Sequence, residues 1–461
     1  MTGIDNLKRN KLDVDILIGV LLFLTVFISK VNILSLPYHW DELGAYIIPT
    51  HWLAHGSLLR IIPGLHPPDM FFGHPPALYL SLAALFKMAG EEMWISHVFV
   101  VVFSFLAVYF TYLLGCHLCN RATGILASLF LFFTPLYFAQ SGMVTSEPLV
   151  TALGVMCVYF FLRRRYRAYL LLGFFAVMVK ETSAAVIAAI LIYFIWNEEN
   201  RQRITVRSLQ YAAPLLALLI FFFMQKIATG MFLPNPYFKS HPFVMITRES
   251  FKWGLYSQNR IILTCAILAN FAVYKKAVWK KEFTLFLLIL LFYIGTFTFI
   301  YFLPRYILST LPFFCLLGAY SVVSLFNDVK IQLVIAAIVL VSFLIKIHGT
   351  GTGYGSFETD MQYVDVVTTH KESCRYVEET FPEKHILALW SLSLELTEPY
   401  LGYVKKPLQI SSFQDSYDVI LYTPQGSREN EKLKELIGIK KMHLDRRFEK
   451  NGKYVEVYMS N

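Results

Sequence analysis

Two adjacent carboxylates, Asp41 and Glu42, follow directly on the first membrane-length apolar run, in the segment Tyr38-His39-Trp40-Asp41-Glu42. A carboxylate costs roughly 2.5–3.5 kcal/mol to hold at mid-bilayer and less near the interface, so acids kept at a membrane boundary tend to serve chemistry. Such an acid can take a proton from an attacking hydroxyl or hold a hard cation. Four more polar groups interrupt apolar stretches further along: His74, Glu147, Lys180 and Arg305, the last followed by Tyr306. What elements would bring them together is set by the hydropathy and charge pattern.

The 461 residues are 56% hydrophobic and 16% charged, with a mean hydropathy of +0.52. The chain repeatedly offers runs long enough to cross about 30 Å of hydrocarbon. It reads as an α-helical polytopic membrane protein. The apolar run at 14–34 is too long for a signal peptide and lacks a small-residue cleavage site, so it reads as a retained first helix. Six cysteines lie mostly inside apolar runs, with no spacing that suggests a disulfide framework. No Asn-x-Ser/Thr acceptor occurs, which favours a bacterial inner membrane over a glycosylating secretory pathway.

The net charge of +9 is unevenly spread: residues 350–461 hold 14 basic and 17 acidic side chains, leaving 27 basic and 15 acidic in residues 1–349. The basic excess therefore belongs to the membrane part, where it reports topology rather than nucleic-acid binding. Apolar segments fall at 14–36, 74–89, 94–117, 122–140, 147–162, 168–179, 182–196, 208–229, 260–274, 283–303, 306–326 and 330–347. Basic clusters at Arg163-Arg164-Arg165, Arg201/Arg203 and Lys275-Lys276 all fall on the cytoplasmic side only if 74–89 does not cross. That segment then becomes a juxtamembrane helix in a long first outer loop, and about 11 transmembrane helices remain.

Between Arg167 and Arg201 the stretch Tyr169–Trp196 is apolar apart from Lys180-Glu181-Thr182. With both flanks cytoplasmic it must be a hairpin tipped by those three residues, each arm about 22 Å long at 1.5 Å per residue. From Gly349 a glycine-rich joint opens a soluble tail with strands expected at 385–390, 417–423 and 454–459 and helices at 360–380 and 428–437. Two domains are expected: 1–349, membrane-embedded and catalytic, and 350–461, a small extracytoplasmic α/β domain.

This topology puts Asp41, Glu42, His74, Glu147, Lys180 and Arg305 on one outer face, although none of them belongs to the basic clusters that set it. Acids and cations together there suit a reaction on a phosphate-bearing lipid, and a sugar on a polyprenyl phosphate is the donor for which the roles can be made concrete. The cations stabilise the departing phosphate, and a carboxylate, Asp41 first, accepts the acceptor's proton. Glu42 or Glu147 could orient the acceptor, or could hold a divalent metal through hard oxygen ligands. Five of the twelve histidines (His39, His51, His55, His66, His74) lie in the first outer loop; His51 and His55 have helical i,i+4 spacing, with no third ligand legible.

Asp41-Glu42, Gly73-His74-Pro75-Pro76-Ala77-Leu78-Tyr79, Thr145-Ser146-Glu147-Pro148-Leu149, Val179-Lys180-Glu181-Thr182 and Leu303-Pro304-Arg305-Tyr306-Ile307-Leu308 form an ordered set. Over residues 1–350 that set resembles the GT-C membrane glycosyltransferases of the protein O-mannosyltransferase and lipid A aminoarabinose transferase kind. The resemblance implies an inverting enzyme of the periplasmic or lumenal face, using a polyprenyl-phosphate sugar and a glycolipid or protein acceptor. It matches Asp41 and Glu147 to the acids of the first and second outer loops. Lys180 and Arg305, with His74 and Tyr306 beside them, match the donor-phosphate side. Two departures stand out: His74 replaces a lysine of the aminoarabinose transferases, and Glu147 stands where aspartate is frequent. The competing readings are a secondary transporter or lipid-carrier flippase, which should show internal repeats that are not found here, and a non-catalytic assembly subunit docking through its tail.

Overall fold

The computed structural model describes residues 3–66, 70–71, 73–197, 201–232, 248–274, 280–298, 302–349, 358–424 and 429–460. The glycine-rich joint at 350–355 and the basic pair Lys275-Lys276 lie outside them.

Uninterrupted apolar runs become helices because a backbone without water must satisfy its own N–H and C=O groups. Among the described residues, five helices are long and apolar enough to cross a membrane: Asp13–Ile33, Met93–Leu118, Val206–Thr229, Pro304–Leu325 and Val329–Ile347. Shorter apolar helices accompany them, among them Arg121–Phe133, Ser146–Leu162, Tyr166–Val179 and Ile261–Tyr274. Leu17, Leu219, Phe223, Leu333 and Val341 expose their side chains, as lipid-facing rows do. Pro304–Leu325 is instead mostly buried, so the residues at its start, Arg305 and Tyr306, are delivered into the protein interior.

The segment at 74–89 contains a helix of 13 residues, Ala77–Ala89, packed beside the short helix Ile48–His55 in the outer loop. At 1.5 Å per residue it spans about 20 Å, short of a bilayer's hydrocarbon. The stretch 169–196 is a hairpin as its charges suggest. Helices Tyr166–Val179 and Ala184–Asn197 meet at Lys180 and the 3-10 turn Glu181–Ser183. One expected helix is divided. Thr134-Pro135 splits 122–140 into Arg121–Phe133 and Pro135–Gln140, since proline restricts the residue before it to extended backbone and lacks an N–H.

The tail forms a five-stranded sheet of order β2-β1-β3-β5-β4 from β1 (Ile386–Ala388), β2 (Ile410–Ser411), β3 (Val419–Tyr422), β4 (His443–Lys450) and β5 (Lys453–Met459). The first three strands are parallel, and β5 runs antiparallel to both β3 and β4. β2 and β4 were not expected. β4 is masked by charge (His-Leu-Asp-Arg-Arg-Phe-Glu-Lys), yet Asn451-Gly452, both at positive φ, closes the two-residue hairpin that pairs it with β5. Helix Tyr363–Thr380 packs on β4 and β5. The sheet shares its apolar core with the first outer loop: Val367, Leu392 and Val419 belong to the same buried cluster as Tyr38, Leu43 and Leu78.

Candidate active site

Two loops and one helix start converge on the guanidinium of Arg305. Its Nη2 donates to Asp41 Oδ2, its Nη1 to Glu358 Oε2, and its Nε to Glu147 Oε1 at 3.3 Å. Asp41 opens a π-helical turn, Glu42–Ile47, that follows Trp40 at positive φ. Glu147 sits in the first turn of Ser146–Leu162, where the helix N-terminus favours an acid. Lys180 is released from helical geometry at the hairpin tip and donates to the same Glu147 Oε1 at 2.6 Å. The Lys180 ammonium also lies 4.6 Å from the centre of the Tyr306 ring, a cation–π contact, and Phe297 stacks on the far part of that tyrosine at 5.1 Å.

The cluster is dry and asymmetric. Side chains of Glu147, Lys180, Arg305 and Glu358 are all less than a tenth exposed, whereas that of Asp41 is 29% exposed. Two cations face three carboxylates. Burial, together with the nearby Asp41 and Glu147 charges, pushes the Glu358 carboxyl up to about 7 against the opposing pull of Arg305. Glu358 is thus the member that holds a proton most readily near neutrality. Of the five, Asp41 alone combines a fixed partner with an open side.

The remaining expected residues stand around this hub. Glu42 is fully buried, and its two oxygens accept backbone N–H groups of His39, at 2.7 Å, and Val144. It ties the segment that carries Asp41 to the one that precedes helix Ser146–Leu162. Burial pushes its carboxyl up to about 8, against those two hydrogen bonds. His74 pairs through Nδ1 with Glu181 at 3.0 Å, one residue past Lys180, and lines a small cleft with Ile61, Phe71, Phe221 and Gln225. It therefore contacts neither cation among the described residues.

Glu358 is the member that sequence reasoning missed. Its backbone carbonyl accepts from Gln140 Nε2 at 2.9 Å, and the carbonyl of Thr359 accepts from Gln258 Nε2 at 2.7 Å, so two membrane-side amides hold the start of the tail over the cluster. Nothing local in sequence marks it beyond being the first acid after the glycine-rich joint.

Residues 73–224 match the sequence model of the family described as dolichyl-phosphate-mannose-protein mannosyltransferase. No curated protein sequence matches the chain significantly. Among solved structures, ArnT from Cupriavidus metallidurans in the apo state superposes with a TM-score of 0.60 at 12% identity, covering 98% of both chains. The same protein bound to undecaprenyl phosphate gives 0.57 at 12% identity, covering 97% of this chain and 98% of that one. The matched family segment contains His74, Glu147 and Lys180, and the shared fold extends through the sheet of the tail. Over residues 73–224 the chain is thus similar to that mannosyltransferase family, and along its length it has the fold of ArnT.

Proposed function

We propose that this protein moves a sugar from a polyprenyl-phosphate donor to the hydroxyl of a glycolipid or protein acceptor, at the outer face of a bacterial inner membrane and with inversion. The observation that carries this reading is the sharing of Glu147 Oε1 by the Lys180 ammonium and the Arg305 guanidinium. Two buried cations fixed on one carboxylate oxygen are already oriented before any charge develops elsewhere. As the bond from sugar to phosphate breaks, the phosphate gains negative charge that these donors can meet without reorganising. The structure of ArnT with undecaprenyl phosphate supports a polyprenyl carrier as the donor's lipid.

The roles follow from exposure and partners. Asp41, open to solvent and held on one oxygen by Arg305, accepts the proton of the attacking hydroxyl. Glu147 positions the two cations. Tyr306 confines Lys180 from below, and His74 acts through Glu181 beside it. Glu42 positions the loop that carries Asp41. In this reading about 11 helices cross the membrane, and residues 350–461 form the extracytoplasmic domain that contributes Glu358.

The test is direct. Purified protein is supplied with defined polyprenyl-phosphate sugars and candidate acceptors, and products are identified by mass. Asp41→Asn should fold and bind the donor lipid yet lose turnover by a factor of about 10²–10⁴, the usual size of a general-base contribution. Transfer at the wild-type rate removes Asp41 as the base.

A further inference from the structure

We propose that His51, His55 and Glu91 form a binding site for one divalent metal ion of the zinc type, separate from the Arg305 cluster. It would fasten the outer-loop helices to each other beneath the C-terminal sheet. The three side chains each offer one ligand atom, and these atoms lie within 4.8 Å of one another. His51 Nδ1 is 2.9 Å from Glu91 Oε2, and His55 Nε2 is 3.1 Å from Glu91 Oε1.

The local fold accounts for the convergence. His51 and His55 lie one helical turn apart on Ile48–His55, so both rings leave the same face, with centroids 4.3 Å apart. Glu91 follows Gly90, whose φ of +94° ends helix Ala77–Ala89 and turns the chain back toward that face. Lys87 donates to the carbonyl of Gly56 at 3.1 Å and holds the two helix ends side by side. His66 and His74 are engaged elsewhere: His66 faces the carbonyl of Arg60 and His74 pairs with Glu181.

Two imidazoles and one carboxylate are a ligand set that zinc takes readily, with bonds of about 2.0–2.2 Å. At tetrahedral angles such bonds separate the donor atoms by about 3.3–3.5 Å. The observed 2.9 and 3.1 Å contacts, made to the two oxygens of Glu91, would open by a few tenths of an ångström as the ion enters between the rings and the carboxylate. Glu91 Oε1 is buried and lacks a well-directed hydrogen-bond donor among the described residues, so it has a lone pair to give. The His55 side chain is 65% exposed, which leaves room for a water at the fourth position. The phenol ring of Tyr400, from the tail, stacks on His51 at 3.8 Å and 4°, fixing that ring from the side away from the helix. An ion here would bind two outer-loop helices directly and the tail through Tyr400.

The experiment uses the full-length chain in detergent, stripped with a chelator and then titrated with zinc or cobalt. Bound metal is counted by elemental analysis, and cobalt geometry is read from its visible absorption. The expected result is one ion per chain, a tetrahedral cobalt spectrum, and a rise in melting temperature on metal addition. His55→Gln, at an exposed position, and Glu91→Gln should each weaken binding at least tenfold and abolish the metal-dependent rise while remaining monodisperse and helical. A wild-type chain that takes up no ion at micromolar free zinc overturns the proposal. So do variants that bind as tightly as the wild type, since the ion would then sit elsewhere. None of these readouts depends on turnover, so the outcome is independent of the donor and acceptor proposed above.

Discussion

Lys180 Nζ lies 2.6 Å from Glu147 Oε1, and the same oxygen faces Arg305 Nε at 3.3 Å. The lysine comes from a hairpin tip and the arginine from the start of a buried helix, so one carboxylate oxygen sets the spacing of two cations from different parts of the chain. Without it the Lys180 ammonium would lose its ion-pair partner inside the protein, a condition costly enough to disorder the site, while Arg305 would keep Asp41 and Glu358.

Glu147→Gln should therefore do two things. It leaves two buried cations short of a partner, with a loss of stability of about 3–5 kcal/mol, and it lowers turnover by about 10²–10³ by releasing the phosphate-facing donors. Thermal unfolding in detergent and single-turnover kinetics measure these separately. Glu147→Asp keeps the charge but withdraws it by one methylene, and should recover most of the stability and less of the rate. Equal recovery of both would mean that the spacing of the cations does not matter.

Arg305→Lys tests geometry against charge. The guanidinium reaches Asp41, Glu147 and Glu358 through three different nitrogens, a fork that an ammonium on a flexible stem cannot reproduce. Turnover should fall at least 100-fold although the formal charge is unchanged, an effect of the size seen when one preorganised donor is lost. Retention of more than a tenth of the wild-type rate would reduce Arg305 to a source of positive potential.

Much of this cluster was legible before any coordinates, for a physical reason. A charge inside an apolar run is expensive, so Glu147, Lys180 and Arg305 stand out against their neighbours, and basic flanks assign them to one side. What could not be read was pairing across long separations. Glu358 lies in polar sequence where an acid costs nothing, so no local signal separates it from the other acids of the tail. Glu91 likewise sits in an ordinary loop, and its convergence with His51 and His55 depends on how two helices pack. Glu42 shows the opposite case: adjacency to Asp41 suggested shared chemistry, whereas the turn sends its carboxylate to two backbone N–H groups. Strand β4 escaped because five of its eight residues are charged, and pairing with β5 overrides that composition.

Stability should depend on pH in a direction unusual for carboxylates. Glu42 and Glu358 have carboxyls raised from an ordinary 4.5 to about 8 and about 7, in both cases chiefly by burial. Between 4.5 and those values the folded chain holds protons that the unfolded chain has released, so folding binds protons and stability declines as pH rises through this window. Each unit of displacement corresponds to about 1.4 kcal/mol. The melting temperature in detergent should fall between pH 5 and pH 8, with Glu358→Gln flattening the part below 7 and Glu42→Gln extending the flattening toward 8. A wild-type profile that rises across this range would show that both carboxyls are ionised in the folded chain.

The tail should be coupled to the outer loop through one close contact. Gly44, in the turn after Asp41, has the Trp390 indole where a Cβ would go, and Trp390 follows strand β1 of the sheet. Tyr403 adds a hydrogen bond to the carbonyl of Tyr38 at 2.7 Å in the same interface. Gly44→Ala must therefore push the indole aside, at a cost of about 1–3 kcal/mol for overpacking a closed contact. Because the turn also carries Asp41, the same variant should lower turnover without touching a charged residue. Trp390→Ala removes the obstruction, so the double variant should be more stable than the two single losses added together, with a coupling of about 0.5–3 kcal/mol. Strict additivity of the two substitutions would mean that the tail and the Asp41 turn are energetically independent, and Glu358 would then reach Arg305 without help from the sheet.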